Sequence, residues 1–234
     1  MSISENLKRV RERIEKAAST ARRKVEEINL VAVTKGVNAE RIVEAAYLGV
    51  NAFGENYAQE FRDKHDIVEK AIGRKVEWHF IGRLQRNKVK YLDNISLIHS
   101  LDNTSIAEEI NRRAEKVGTN VLIEVNIGEE RVKGGIEYRR VDDFLTGLSR
   151  FYRIEIKGLM TMPPFFDNPE MARPYFRRLR ELRDRLQERF PKLRELSMGM
   201  SGDFEVAIEE GATIVRVGTA IFGDRIHPAD AQLT

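Results

Sequence analysis

The sequence predicts an α/β fold, a (β/α)8 TIM barrel formed by one domain over residues 1–234. Eight short apolar runs of strand type alternate with amphipathic helical patterns, which is typical of a parallel sheet covered by helices. A chain of 234 residues has the length at which such barrels occur undivided. No linker, repeat or low-complexity segment interrupts it. A doubly wound open sheet is the second interpretation of the same alternation.

The amino terminus predicts an extra helix outside the barrel. Ser2 and Glu5 have the spacing of a capping box, and apolar residues then recur every three or four positions as far as Ile28. We therefore expect residues 1–28 to form a helix that packs on the barrel. The predicted strands lie at 30–34, 51–54, 76–81, 95–99, 120–127, 154–160, 194–198 and 212–217. The predicted helices lie at 39–48, 55–71, 84–91, 103–117, 138–149, 168–189 and 202–210.

The composition excludes several classes of function. The 40 basic and 37 acidic residues leave a net charge of only +3, so no nucleic-acid partner is expected. The absence of cysteine excludes disulfides and thiolate catalysis. No apolar stretch approaches the roughly 20 residues that span a membrane, and the first residues lack a signal-peptide pattern. We expect a cytoplasmic monomer without a metal site or a membrane partner.

Lys35 is the residue that points most directly to chemistry. It follows a short apolar run and precedes Gly36, so it lies where a buried parallel strand ends. Barrels and open sheets bind ligands at this edge. Burial lowers the pKa of an ammonium group and leaves more free amine, which is the nucleophile of Schiff-base chemistry. A solvated lysine that merely ends a strand is the alternative.

Other polar residues are predicted at the same edge of the barrel. Asn56 follows the second strand, His79 belongs to the third, Met160 ends the sixth and Arg216 belongs to the eighth. Each has a purely structural alternative: a helix cap for Asn56, a buried core histidine for His79 and half of an ion pair for Arg216.

Two turns of small residues predict an anion site. Residues 196–203 lead from the seventh strand into a helix, with Ser201 as the expected cap, and residues 216–223 form a similar turn after the eighth strand. Backbone N–H groups at such turns bind anions, and barrels frequently hold a phosphate in the loops after strands seven and eight. We therefore predict a phosphate site between these two turns.

A nucleophilic lysine and a phosphate site together indicate a ligand that carries both an aldehyde and a phosphate. Pyridoxal 5′-phosphate (PLP) has both groups, and Arg216 is placed to meet its ring nitrogen. Arginine can only donate hydrogen bonds, so it would leave that nitrogen unprotonated. The cofactor would then be a weak electron sink.

Six blocks of residues, spread in order from residue 30 to about 223, carry a family resemblance. The blocks are Ala32-Val-Thr-Lys35, Phe53-Gly-Glu-Asn56, Trp78-His-Phe-Ile-Gly82 with Leu84-Gln85 and Asn87-Lys88, Gly158-Leu-Met160, Leu196-Ser-Met-Gly-Met-Ser201 and Val215-Arg-Val-Gly-Thr-Ala-Ile-Phe-Gly223. They resemble the PLP homeostasis proteins, single-domain relatives of the alanine-racemase barrel.

The resemblance implies an alanine-racemase-like TIM barrel with PLP bound as a Schiff base on Lys35. It implies that Arg216 faces the ring nitrogen and that Ser201, Gly218 and Thr219 contact the phosphate. Further positions near the cofactor are implied for Asn56, His79, Met160 and the backbone of Ser197 or Met198.

Two functions from different classes fit this resemblance. The first is a non-catalytic protein that stores PLP or delivers it to apo-enzymes. The second is an amino-acid racemase or decarboxylase of the same superfamily. Racemisation needs a base on each face of the cofactor, and in the racemases the second base is a tyrosine of an additional carboxyl-terminal domain. The chain ends about eleven residues beyond Gly223, so we expect that domain to be missing. Tyr57 is expected to begin a helix and face outward, which favours the carrier. A barrel for another phosphorylated metabolite is a third possibility.

Overall fold

Eight parallel strands close into a barrel in the computed structural model, which describes residues 1–114, 118–129 and 134–223. Neighbouring strands pair in chain order, and the pairing of the first with the last strand completes the circle. A two-residue strand, β6, extends the edge beside β5. The strands are β1 (Asn29–Val33), β2 (Ala52–Glu55), β3 (Glu77–Phe80), β4 (Leu97–Leu101), β5 (Thr119–Asn126), β6 (Ile136–Glu137), β7 (Ile154–Met160), β8 (Glu195–Ser197) and β9 (Ile214–Val217). The barrel prediction is confirmed, with strand ends within about two residues of the predicted runs.

Helices cover the outside of the barrel and are generally shorter than the sequence pattern predicts. They are α1 (Ile3–Thr20), α2 (Ala39–Tyr47), α3 (Ala58–Ile72), α4 (Thr104–Arg113), α5 (Val141–Leu148), α6 (Arg173–Gln187), α7 (Phe204–Glu209) and α8 (Thr219–Phe222). The segment predicted as a helix at 84–91 is a 3-10 helix, Arg86–Tyr91. Helix α8 was not predicted. The end of the helix predicted at 103–117 falls partly on residues 115–117, outside the described residues.

The amino-terminal helix ends earlier than residue 28. The capping box of Ser2 and Glu5 is present, but Arg22 has a φ of +54°, which a right-handed helix cannot accommodate. The apolar face of α1 is buried against α7 and α8. Asn6 Nδ2 donates to Ile221 O over 2.9 Å, and Arg13 pairs with Glu205 over 2.6 Å, so α1 supports the turns after β8 and β9 from outside.

Alternation along the strands separates an inner from an outer face. The inner side chains form a small apolar cluster, and the outer ones pack under the helices in a much larger one. Val31 belongs to the inner cluster and Ala32 to the outer one, so Lys35 continues the inner row while Thr34 points outward. The inner cluster consists of Val31, Ala52, Leu97, Leu122, Met160 and Ile214.

None of the helices in the described part of the chain has the length and hydropathy needed to cross a bilayer. The same residues contain no group of three or more histidine, aspartate or glutamate side chains that could hold a metal ion.

Candidate functional site

A cavity of about 280 Å³ opens at the carboxyl ends of the strands. Lys35, Ser201, Arg216, Gly218 and Thr219 line it, so it brings together five of the predicted site residues. The loop after β7 closes one side with Pro164, Phe165, Phe166 and Pro169. A half-buried amine, a guanidinium and a turn of small residues therefore share one space.

The backbone on both sides of Lys35 is held by a buried ionic network. Lys64 Nζ donates to Thr34 O over 3.0 Å and pairs with Glu60 Oε2 over 2.5 Å. The same Glu60 oxygen accepts the N–H of Gly36 over 2.8 Å. One lysine and one glutamate on α3 thus fix the residues directly before and after Lys35.

A second carboxylate completes this network. Glu55 is fully buried, and its Oε1 accepts from Thr34 Oγ1 at 2.8 Å and from Lys64 Nζ at 3.1 Å. Burial raises the pKa of Glu55, while the Lys64 ammonium opposes that rise. We call Thr34, Glu55, Glu60 and Lys64 the Lys64 clamp. Sequence analysis missed it, although the four-residue spacing of Glu60 and Lys64 on a helix is a recognisable ion-pair signal.

Arg216 is buried beneath the cavity, with only 4% of its surface exposed. Its Nη1 donates to Ser197 Oγ over 2.6 Å, and its Nη2 donates to Thr161 O over 3.0 Å. Burial lowers the pKa of Arg216 to about 10, and the carboxylates of Asp203 and Glu124 oppose that fall. The guanidinium therefore remains charged at neutral pH and keeps a fixed orientation.

In the turn predicted to bind an anion, two backbone amides converge on one side-chain oxygen. The N–H groups of Gly218 and Ala220 both donate to Ser201 Oγ, each over 3.3 Å. A Cβ at Gly218 would lie 3.3 Å from Val33 Cβ, so the absence of a side chain lets this turn approach β1 closely.

The prediction that Ser201 caps the helix after the seventh strand was wrong. Asp203 is the N-cap residue of α7, and its Oδ1 accepts the N–H of Met200 over 2.6 Å. Asp203 accepts the backbone hydrogen bond at the start of this turn, and the Ser201 hydroxyl instead accepts from the turn at the start of α8.

Asn56 is a half-buried residue directly after β2; it is not a helix cap and is not among the residues that line the cavity. Its Oδ1 has no hydrogen-bond partner among the described residues. A Cβ at Gly82 would lie 2.1 Å from Asn56 O, so only glycine lets this loop pack against it. Tyr57 is the N-cap residue of α3 and is 60% exposed, in agreement with the predicted outward orientation.

Met160 and His79 lie deeper than the resemblance implies. Met160 is buried in the inner apolar cluster, and neither residue is among those that line the 280 Å³ cavity. His79 Nδ1 lies 2.9 Å from His99 Nε2, inside the barrel. The position of His79 two residues above the start of β3 therefore argues against direct contact with a ligand in the cavity.

A larger cavity of about 850 Å³ opens at the amino ends of the strands. Its walls include Glu77, His79, Glu155, Lys157 and Lys192. Glu155 already pairs with Lys157 over 2.8 Å and with Lys192 over 3.0 Å. Because Lys157 and Lys192 are both paired with Glu155 and neither follows the carboxyl end of a strand, the smaller cavity is the candidate site.

Glu124 is a titratable residue near Arg216 that sequence analysis missed. It interrupts the apolar run of β5, which is the signal that could have identified it. Only 9% of its surface is exposed. Burial and the negative charge of Asp102 raise the pKa of Glu124 to about 7, and Arg216 and Arg83 oppose that rise.

Comparisons with known proteins agree on one family. Residues 5–226 match the model of the alanine racemase N-terminal domain family. A protein of Aquifex aeolicus named pyridoxal phosphate homeostasis protein is 49% identical over 229 residues, covering 96% of this chain and 99% of that one. The structure of PipY from Synechococcus elongatus with PLP bound superposes with a TM-score of 0.80 at 31% identity, covering 95% of this chain and all of that one (100%). Alanine racemase of Corynebacterium glutamicum shares the fold, with a TM-score of 0.68 at 18% identity, and the match covers 97% of this chain and 62% of that chain.

The raised pKa of Glu124 predicts a specific pH dependence of stability. Between pH 4.5, the ordinary glutamate value, and about 7, the folded protein holds a proton that the unfolded chain has lost. The free energy of unfolding should therefore fall as pH rises through this window, by on the order of 3 kcal/mol. Glu124→Gln should abolish that fall. Urea unfolding of the ligand-free protein from pH 4.5 to 8 measures it, with Glu12→Gln on the exposed face of α1 as the matched control. Parallel pH curves for wild type and Glu124→Gln would contradict the assignment.

Proposed function

Because the chain belongs to the family of pyridoxal phosphate homeostasis proteins, we propose that it binds PLP and stores or delivers this cofactor. The observation that carries the proposal is one cavity lined both by Lys35, which follows β1, and by Ser201, Gly218 and Thr219, which meet at the start of α8. An amine and a turn with converging amides in one space match an aldehyde and a phosphate on one small molecule.

The residues present fit PLP at its aldehyde, its phosphate and its ring nitrogen. Bound PLP supplies an aldehyde that condenses with an amine, and Lys35 is the cavity-lining lysine among the described residues. Ser201, Gly218 and Thr219 would hold the phosphate, since two amides of this turn already converge on the Ser201 oxygen. Arg216 would donate to the ring nitrogen.

Residues outside the lining of the cavity would contribute indirectly. Asn56 follows β2 and does not line the cavity, so the structure gives it no direct contact with the proposed ligand. Ser197 would support Arg216 through the hydrogen bond they share. Met160 would form part of the apolar floor below the site.

The carrier function is favoured over racemisation by the character of two residues. Arg216 is buried, charged and able only to donate, so it would limit stabilisation of a carbanion by the cofactor. Tyr57, the tyrosine closest to a barrel strand end, is 60% exposed and caps a helix on the outside. Tyr57 is also not among the residues that line the cavity with Lys35, so it is not placed as a second base.

Exchange with an acceptor is consistent with the open side of the cavity. Phe165 in the loop after β7 is 87% exposed although it lines the site. Acceptors would be apo-enzymes that use PLP, and we propose that the carrier acts as a cytoplasmic monomer.

Reductive trapping should place the cofactor on Lys35. The protein is incubated with PLP, reduced with borohydride and mapped by peptide mass spectrometry. The pyridoxyl adduct is expected on the peptide that contains Lys35, and Lys35→Ala should lose the associated absorbance. Lys157→Ala is the matched control, because Lys157 lies at the opposite mouth in an ion pair with Glu155. An adduct mainly on Lys64 or Lys157, or on no lysine, would refute the assignment.

Ser201→Ala should weaken PLP retention by about tenfold or more, because charge-assisted hydrogen bonds contribute roughly 1.5–3 kcal/mol each. Binding of pyridoxal, which lacks the phosphate, should change little in the same variant. Equilibrium dialysis of both compounds with wild type and variant measures the difference. If wild type bound pyridoxal and its phosphate ester equally well, the anion site would be excluded.

The loaded protein should transfer PLP to an apo-enzyme without turning over free amino acids. Incubation with D- and L-alanine in deuterium oxide, followed by proton NMR, measures exchange at the α-carbon. Slow exchange together with recovery of apo-enzyme activity is expected of a carrier. Rapid exchange with racemisation that disappears in Tyr57→Phe would instead make Tyr57 the second base of a racemase.

A further inference from the structure

A line of polar side chains runs through the interior of the barrel from one mouth to the other. Arg216 Nη1 lies 2.6 Å from Ser197 Oγ, which lies 2.8 Å from His99 Nδ1. His99 Nε2 lies 2.9 Å from His79 Nδ1, and His79 Nε2 lies 3.5 Å from Glu77 Oε2. The four inner members are almost fully buried, whereas the Glu77 side chain is 60% exposed in the larger cavity.

The chemistry of the two ends determines where each hydrogen lies. A guanidinium only donates, so Ser197 Oγ accepts from Arg216 and turns its own hydrogen toward His99 Nδ1. His99 then carries its hydrogen on Nε2 and donates to His79 Nδ1. His79 in turn carries its hydrogen on Nε2 and faces the acceptor-only carboxylate of Glu77.

The opposite direction fails at both ends of the line. If His99 Nδ1 carried the hydrogen, the Ser197 hydroxyl would lose the acceptor toward which its hydrogen is directed. His79 would then present a lone pair to the Glu77 carboxylate. Burial, with the nearby His79 and Arg216 adding to it, lowers the pKa of His99 well below its ordinary value, so His99 is a neutral link with one hydrogen.

We propose that Glu77, His79, His99 and Ser197 form a one-directional hydrogen-bond relay, with both histidines in the Nε2–H form, that positions the Arg216 guanidinium from below. These four are positioning residues that act on the ligand through Arg216. The effect on a bound cofactor rests on the proposed function, but the histidine tautomers do not. Ser197 donates its hydrogen to His99. Ser197 and His79 therefore act on the ligand only through Arg216.

The surroundings of the relay show that its polar groups are costly to bury. The inner apolar cluster of Val31, Ala52, Leu97, Leu122, Met160 and Ile214 occupies the same barrel interior. Unpaired imidazoles there would lose their hydration without compensation. The hydrogen bonds from Arg216 to His79, with the 3.5 Å contact between His79 and the Glu77 carboxylate, compensate each buried member and fix the orientation of Ser197.

The tautomers can be tested without any cofactor. Long-range ¹H–¹⁵N correlation spectra of the ligand-free protein, labelled with ¹⁵N-histidine, distinguish Nε2–H from Nδ1–H imidazoles. Both His79 and His99 should show the Nε2–H pattern, with the spectra of His79→Gln and His99→Asn used for assignment. An Nδ1–H pattern or a charged imidazole at His99, or an Nδ1–H pattern at His79, would overturn the relay.

The positioning role is tested on the PLP-loaded protein. His99→Leu should shift the absorbance maximum of the bound cofactor and speed its dissociation by about tenfold, since Ser197 loses its acceptor. His99→Asn keeps an acceptor near the Nδ1 position and should restore part of both properties. Ser100→Ala is the matched control, because the neighbouring Ser100 Oγ is buried without a hydrogen-bond partner among the described residues.

The two measurements separate the possible failures. Correct tautomers with an unchanged spectrum and dissociation rate in His99→Leu would overturn the positioning role. Absence of PLP binding by the wild-type protein would overturn the proposed function and, with it, the link from the relay to a cofactor, while the tautomers would still be decided by the ligand-free spectra.

Discussion

A guanidinium buried inside the barrel is the constraint on which the rest of the site depends. Arg216 is 4% exposed, and a buried charge is tolerated only where charged and hydrogen-bonding groups surround it. Those groups come from separate segments: Ser197 from β8, the Thr161 carbonyl after β7, Glu124 from β5 and Asp203 before α7. Satisfying one charge therefore draws four segments toward a single point and fixes the shape of the cavity above it.

The inner and outer faces of the barrel wall have different roles around Lys35. The inner row places the amine in the cavity, while Thr34, one residue earlier, points outward to Glu55 and Lys64. The ionic groups that hold the backbone on both sides of Lys35 therefore come from the outer face, whereas Lys35 itself lines the cavity on the inner face.

Sequence patterns predicted the fold and the residues that line the cavity, but not how deep in the barrel the other polar side chains lie. Strand alternation identifies where a strand ends, so Lys35, Ser201, Arg216, Gly218 and Thr219 were correctly expected in one place. The height of a side chain inside a barrel depends on strand stagger, which a single sequence does not reveal. His79 was therefore placed too high, and His99 passed as part of an apolar run. The Lys64 clamp joins residues up to 30 positions apart through tertiary contacts, which a local sequence pattern does not show. The N-cap of α7 is Asp203, two residues after the predicted Ser201.

Closure of the barrel by the pairing of β1 with β9 bears on how the protein matures during synthesis. Lys35 follows the β1 segment and Arg216 belongs to β9, which pairs with β1 in the folded barrel. The two residues are therefore synthesised about 180 positions apart. At roughly 5–20 residues per second, Lys35 leaves the ribosome about 10–40 s before the strand that completes its surroundings. During that interval the lysine lacks Arg216, Gly218 and Thr219, which line the same cavity in the folded protein. Loading of PLP at the proposed site would then follow the pairing of the last strand, and a chain that carries the cofactor would be one that has finished folding.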